Sequence, residues 1–197
     1  MTRPAKSKAV REARSDAQRN RKSLLEAGKV AFAEKGISAS LEEIARVAGV
    51  GIGTLYRHFP TRDALIEAVY RNETQQLAEA AAELAATHPP VEALRAWMRM
   101  CVDHIATKKL MAGVLNSIVG GTSDLYAEAG AQLRVAMTML VDNAVAQGDI
   151  RLDLDPMDML RAVAGVANVS SGENWQDSAR RLVDILIAGV RIPASDR

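Results

Sequence analysis

The sequence predicts an all-α protein, and three observations support that class. Ala and Leu dominate a chain in which aromatic residues make up only 4%, a composition that favours helices over a β-sandwich. Apolar residues recur at helical spacing through most of the chain, and no convincing strand interrupts them. Gly36, Gly49, Pro60, the Pro89-Pro90 pair, Gly120-Gly121 and Gly148 fall where one periodic stretch ends and the next begins. With 197 residues, 48% of them apolar, the chain is long enough for one or two domains with a real core.

Charge divides the chain. Residues 1–62 carry 13 Lys+Arg against 6 Asp+Glu, a net +7, and the remainder carries 12 against 18, a net −6. A basic third joined to an acidic remainder fits a separate polyanion-binding module. The expected division is therefore 1–62 and 63–197.

The chain opens with Arg3, Lys6, Lys8, Arg11 and Arg14 on a segment poor in apolar residues. It reads as a basic arm without fixed structure when free, either a solubilising tail or an arm that reaches phosphates. A helix is expected from about Ser15 or Asp16, burying Leu24, Leu25, Ala27, Gly28, Ala31 and Phe32 and ending at Gly36, with Ile37 as a further core residue.

Ser40 to Arg62 is the richest stretch. Ser40 followed by Glu43 spells a capping box, and Leu41, Ile44, Ala45 and Ala48 give one apolar face. Gly49 suits the left-handed backbone that ends a helix. Gly51 opens a second short helix, Leu55 and Phe59 supply its core contacts, and Pro60 stops it. Two short helices around a glycine turn form a helix-turn-helix, whose second helix enters the major groove of duplex DNA. Gly51, Ile52 and Thr54 lie at its N-terminal end, where such helices meet base edges. Ile52 is either a thymine-methyl contact or a core residue. Ser40 offers a hydroxyl as cap and as phosphate contact, and Arg57 sits on an exposed register.

The run EEIARVAGVGIGTLYRHFPTRDAL resembles the DNA-binding signature of the TetR family of bacterial regulators. Ala45, Ala48-Gly49-Val50, Gly53-Thr54-Leu55-Tyr56, His58-Phe59 and Asp63-Ala64-Leu65 carry the likeness, which extends over residues 18–85. The resemblance implies phosphate contacts from Tyr56 and His58, and a backbone contact from Arg62. It also implies a three-helix DNA-binding domain followed by a helical ligand-binding and dimerisation domain, in a repressor released from a palindromic operator by a small molecule.

Thr61 caps a helix expected to run to about Ala86, roughly 38 Å at 1.5 Å per residue. Leu94, Trp97, Met98, Cys101, Val102 and Ile105 then share one face of the next. A short apolar segment, LMAGVLNSIV, precedes a long helix that turns Leu133, Met137, Leu140 and Ala144 inward and closes at Gly148. Asp155-Pro156-x-Asp158 starts another helix, and Asn174 is read as the cap of the last. The last helix is more apolar than one buried side requires, so a homodimer interface is expected on helices near 156–170 and 174–191, with Leu160, Val163, Leu182, Val183, Leu186 and Val190. Trp97, Met98, Cys101, Met111, Leu115, Met137 and Leu140 form a set able to line an apolar effector pocket, with a polar handle at His104 or Tyr126.

Enzymatic chemistry finds no foothold. His58, His88 and His104 share no metal spacing, no glycine-rich phosphate loop follows a strand, and no serine sits in a nucleophile elbow. No metal or cofactor is expected. A single cysteine, Cys101, permits no internal disulfide and suits a reducing cytoplasm. The polar opening MTRPAKSKAVREARS does not read as a signal peptide, and no apolar run approaches the ~20 residues of a membrane span. The expected partners are a double-stranded DNA operator, a second copy of the chain and a small, largely apolar effector. A helical small-molecule-binding protein with a vestigial DNA-binding part is the alternative, and the +7 charge of residues 1–62 argues against it.

Overall fold

The computed structural model describes residues 5–169 and 174–192. Nine α-helices account for most of them, and the only pairing of extended backbone among the described residues is one antiparallel bridge, Ile150 to Arg191. The helices are α1 (Ala5–Lys35), α2 (Leu41–Val47), α3 (Ile52–His58), α4 (Arg62–Thr87), α5 (Pro90–Leu110), α6 (Ala112–Leu115), α7 (Ser123–Ala146), α8 (Pro156–Val169) and α9 (Trp175–Val190). A single 3₁₀ turn, Gly36–Ser38, follows α1. Helix α1 begins about ten residues earlier than the arm reading expects, so Lys6, Lys8, Arg11 and Arg14 are carried on a helix; Arg3 lies outside the described residues.

The chain divides into two compact units. The first comprises residues 1–72 and 110–122, the second 73–109 and 123–197. The division thus falls later than residue 62, because the first turns of α4 supply Leu65, Ile66 and Val69 to the buried part of the first unit. Gly28 of α1 makes room for them: a Cβ there would lie 3.1 Å from a Val69 methyl carbon and 3.7 Å from one of Leu65. Segment 110–122 joins this unit through buried Met111, Val114, Leu115 and Ile118, and Asp63 accepts a hydrogen bond from the Val119 amide at 3.1 Å. Ile37, expected in the core, is 68% exposed; the 3₁₀ turn points it outward and buried Ala39 takes the inward place.

In the second unit one apolar cluster runs through α4, α5, α7, α8 and α9. Trp97, Met98, Met137, Val163, Val183 and Ile187 are fully buried in it. The Trp97 indole N–H donates to the Leu77 carbonyl at 2.7 Å, so the largest core side chain leaves no polar atom unsatisfied. Asp155 starts α8 by accepting the Met157 amide at 2.9 Å. That bond and the Arg134 guanidinium hold its carboxyl below the usual carboxylate range. Asn174 flanks α9 without a side-chain cap, contrary to the sequence expectation. Arg151 N–H to the Val190 carbonyl (2.9 Å) and Ile192 N–H to the Asp149 carbonyl (3.0 Å) fasten the end of α9 to the α7–α8 connection.

Trp97→Phe removes the bond to Leu77 and part of the buried ring while keeping an aromatic core. It is expected to destabilise the protein by ~1–3 kcal/mol, read by urea unfolding with the far-UV spectrum unchanged. Identical wild-type and variant midpoints would refute this account of the cluster.

Candidate nucleic-acid interface

Helix α2 starts as the capping box foresees, but only half of the box forms. Ser40 Oγ accepts the Glu43 amide at 3.3 Å. Glu43 does not reach back to the Ser40 amide; its two carboxylate oxygens each lie 2.7 Å from Lys35 Nζ. The Ser40 hydroxyl donates to Glu42 at 2.7 Å. These contacts hold both carboxyls below their ordinary range, Glu42 through Ser40 and Glu43 through Lys35. Two anionic side chains in the first turn suit the positive end of the helix. The Ser40 hydroxyl that sequence reasoning offered to a phosphate is therefore engaged inside the protein.

The turn follows its glycines. Gly49 has φ +72, a region closed to most side chains, and the Val50 amide bonds back to the Ala45 carbonyl at 3.0 Å. Gly51 then flanks α3 in extended conformation, and Phe59 beyond it is extended again. Between them α3 is split by burial. Leu55 is fully buried and Phe59 nearly so, whereas Gly51, Ile52, Gly53, Tyr56 and Arg57 are exposed. Ile52 (37% exposed) and Tyr56 (45%) thus face solvent, which resolves Ile52 away from the core. A Cβ at Gly51 or Gly53 would meet nothing within 4 Å, so the N-terminal end of α3 is open to a large partner. Thr54 and His58 are half-buried, and Arg57 Nε lies over its own helix, bonded to the Gly53 carbonyl at 3.2 Å.

Arg62, for which the resemblance implies a DNA-backbone contact, is bonded within the protein. One terminal nitrogen of its guanidinium donates to the Ala39 carbonyl at 2.6 Å and the other to the Ile37 carbonyl at 2.9 Å. Sequence reasoning had no signal for this, nor for Arg21 of α1, whose guanidinium carbon lies 5.1 Å from the Phe59 ring centroid. Both pairings join residues more than twenty positions apart.

Of the residues expected to line an effector pocket, Met111 and Leu115 are buried in the first unit. Trp97, Met98, Cys101, Met137 and Leu140 belong to the apolar cluster of the second unit, with His104 and Tyr126 half-buried. Cys101 is buried, and that burial pushes its thiol far above its usual range, which disfavours the reactive thiolate. A cavity of about 230 Å³ in the second unit is lined by Ala85, Pro90, Ala93, Asn143 and their neighbours, and shares only Leu140 with that set. Of the residues read as a dimer face, Val163 and Val183 are wholly enclosed by their own chain, and Leu160 nearly so. Leu182, Leu186 and Val190 are half-buried, and Ile185 between them is 66% exposed. Among the described residues no His, Cys, Asp and Glu group could hold a metal, and no helix is long and apolar enough to cross a membrane.

A buried-on-one-side α3, held by a glycine turn against α2 and backed by α1, defines a helix-turn-helix protein. The family model for bacterial regulatory proteins of the tetR family matches residues 24–69. The model for the C-terminal domain of SbtR-like transcriptional regulators matches residues 89–192. The chain belongs to the TetR family. A TetR transcriptional regulator from Streptomyces coelicolor is 46% identical in sequence, with a TM-score of 0.79 over 88% of this chain and 99% of that one. A second, from Mycobacterium vanbaalenii, is 32% identical, with a TM-score of 0.73 over 91% and 99%. An HTH-type transcriptional regulator from Staphylococcus aureus is 35% identical over 77 residues, 36% of this chain and 38% of the relative. The match to such curated relatives therefore spans about two fifths of their length.

Proposed function

We propose that the protein is a cytoplasmic, homodimeric repressor that binds a near-palindromic operator and releases it when a small, largely apolar molecule binds its second unit. The carrying observation is the one-sided burial of α3: Leu55 is hidden, while Ile52, Tyr56 and Arg57 face outward. Ile52 then meets a thymine methyl, Tyr56 and Arg57 reach phosphates, and Gly51 and Gly53 let the backbone come close. Thr54 and His58 contribute from the flank of the same helix.

Selection from random duplexes by the wild-type protein is expected to recover a palindromic motif, with affinity falling steeply as salt rises. Tyr56→Ala should weaken binding to that motif about tenfold to a hundredfold, ~1–3 kcal/mol. Recovery of no motif at moderate salt would sink the reading.

Leu182, Ile185, Leu186 and Gly189 recur at helical spacing along α9 and are half-buried or exposed in the single chain, which supports a self-complementary contact there. Such a dimer sets two recognition helices about 34–36 Å apart or a multiple of it. Ile185→Glu is expected to sediment as a monomer and to bind the palindrome poorly. Wild-type protein that sediments as a monomer at micromolar concentration would rule the dimer out.

The effector would bind among Trp97, Met98, Cys101, Met137 and Leu140, with His104 and Tyr126 as polar neighbours; Leu140, which also lines the cavity of about 230 Å³, supports this reading. Adaptable Met and Cys side chains and few charges favour an apolar ligand. A hundredfold loss of operator affinity requires ~2.7 kcal/mol of differential binding between the two states of the protein. Apolar compounds that raise the melting temperature should therefore also release the operator. Compounds that stabilise the protein and leave operator affinity unchanged would contradict the coupling.

A further inference from the structure

Residues 39–62 form a loop that contains the whole helix-turn-helix, and Arg62 lies at its neck. It occupies the first position of α4, behind the Thr61 hydroxyl that caps the helix by accepting the Ala64 amide at 3.0 Å. The guanidinium straddles the carbonyls of Ile37 and Ala39 at 2.9 and 2.6 Å. Its central carbon lies 5.3 Å from the centroid of the fully buried Phe32 ring. Ala39 is itself buried and extended, and it directly precedes Ser40, the residue that starts α2.

A reciprocal pair flanks this one. Arg21 of α1 lies over Phe59, in the connection that leaves α3, while Arg62 of α4 lies over Phe32 of α1. The chain entering α2 and the chain leaving α3 are thus both fastened to α1 by an arginine against an aromatic ring. The fork of Arg62 is matched to two carbonyls and a ring face at once. A lysine ammonium, a single point charge on a flexible stem, cannot span the two carbonyls and stack in the same way.

We infer that Arg62 is a positioning residue for operator recognition. It closes the neck of the helix-turn-helix and fixes the direction in which α2 starts, and α3 is presented to DNA at the angle that follows. This assignment rests on the DNA-binding reading above and differs from a phosphate contact in what it requires of residue 62. A phosphate contact needs the positive charge; the neck needs the fork.

Three proteins separate these roles: wild type, R62K and R62Q, each checked for its melting temperature and sedimentation. Affinity is measured at several salt concentrations for the selected operator and for a random duplex. Both variants are expected to bind the operator about tenfold more weakly, to hold random duplex within about twofold of wild type, and to keep the wild-type salt slope. A loss of the operator-to-random ratio in folded protein is what a general loss of stability would not produce. R62K binding like wild type would overturn the inference, as would an R62Q salt slope reduced by ~1 together with equal losses on both duplexes. Should R62Q fail to fold, R62K decides alone.

Amide hydrogen exchange without DNA tests the neck separately. Amides of α2 in R62K are expected to exchange about tenfold faster than in wild type. Unchanged protection there would overturn the clamp even if an operator is found. A wild-type protein that selects no motif would instead remove the DNA-binding reading, and the exchange rates would still judge the neck.

Discussion

A helix of seven residues cannot persist by its own hydrogen bonds, because nucleation costs more than two turns return. Helix α3 has that length, and the rest of the first unit is arranged to hold it. Leu55 is its fully buried anchor, the Val50–Ala45 bond and the left-handed Gly49 set its approach, and Phe59 fixes its exit. Ile52, Tyr56 and Arg57 lie on the exposed side of α3, and the Arg57 guanidinium bonds within its own helix.

Both units combine apolar burial with polar fastenings near their surfaces. A small three-helix module has little interior, so Lys35–Glu43, Ser40–Glu42 and the two arginine–ring pairs supplement Leu24, Phe32, Ile44 and Leu65. The second unit buries Trp97, Met98, Met137 and Val183 in one cluster. Its ion pairs, Arg99 with Asp184 at 2.8 Å and Arg180 with Asp103 at 2.6 Å, join α5 to α9 near the surface. Pairs this exposed contribute modestly, typically below ~1 kcal/mol each, and are weakened by salt. They link α5 to α9 at two points, and Ile185 of α9 stays on the outside.

Segment 110–122 adds a point of economy in the fold. It lies more than forty residues beyond the start of α4, yet it belongs to the first unit, held by Met111, Leu115, Ile118 and the Asp63–Val119 bond. The first turn of α4 thus holds two connections through adjacent residues, Arg62 to the α1–α2 link and Asp63 to this segment. Two consecutive charged side chains, both bonded to backbone groups, make that turn a fixed point of the first unit.

What the sequence determined by itself was local. The spacing of Leu, Ile and Ala predicted the helices, Ser40, Thr61 and Asp155 marked three of their starts, and Gly36, Gly49 and Gly148 marked ends where the backbone turns left-handed. These signals act within one or two turns, so they survive in the chain read alone. The basic first third and the TetR-like run are sequence properties of the same kind. Tertiary structure alone decided partners. Glu43 turned from Ser40 to Lys35, Arg62 turned to Ile37 and Ala39, Ile37 faced outward, and Val163 and Val183 were enclosed by their own chain. A long charged or apolar side chain has several acceptable neighbours, and which one it meets depends on elements distant in sequence. Periodicity can state that a face is apolar, but only packing determines whether its own chain already covers it.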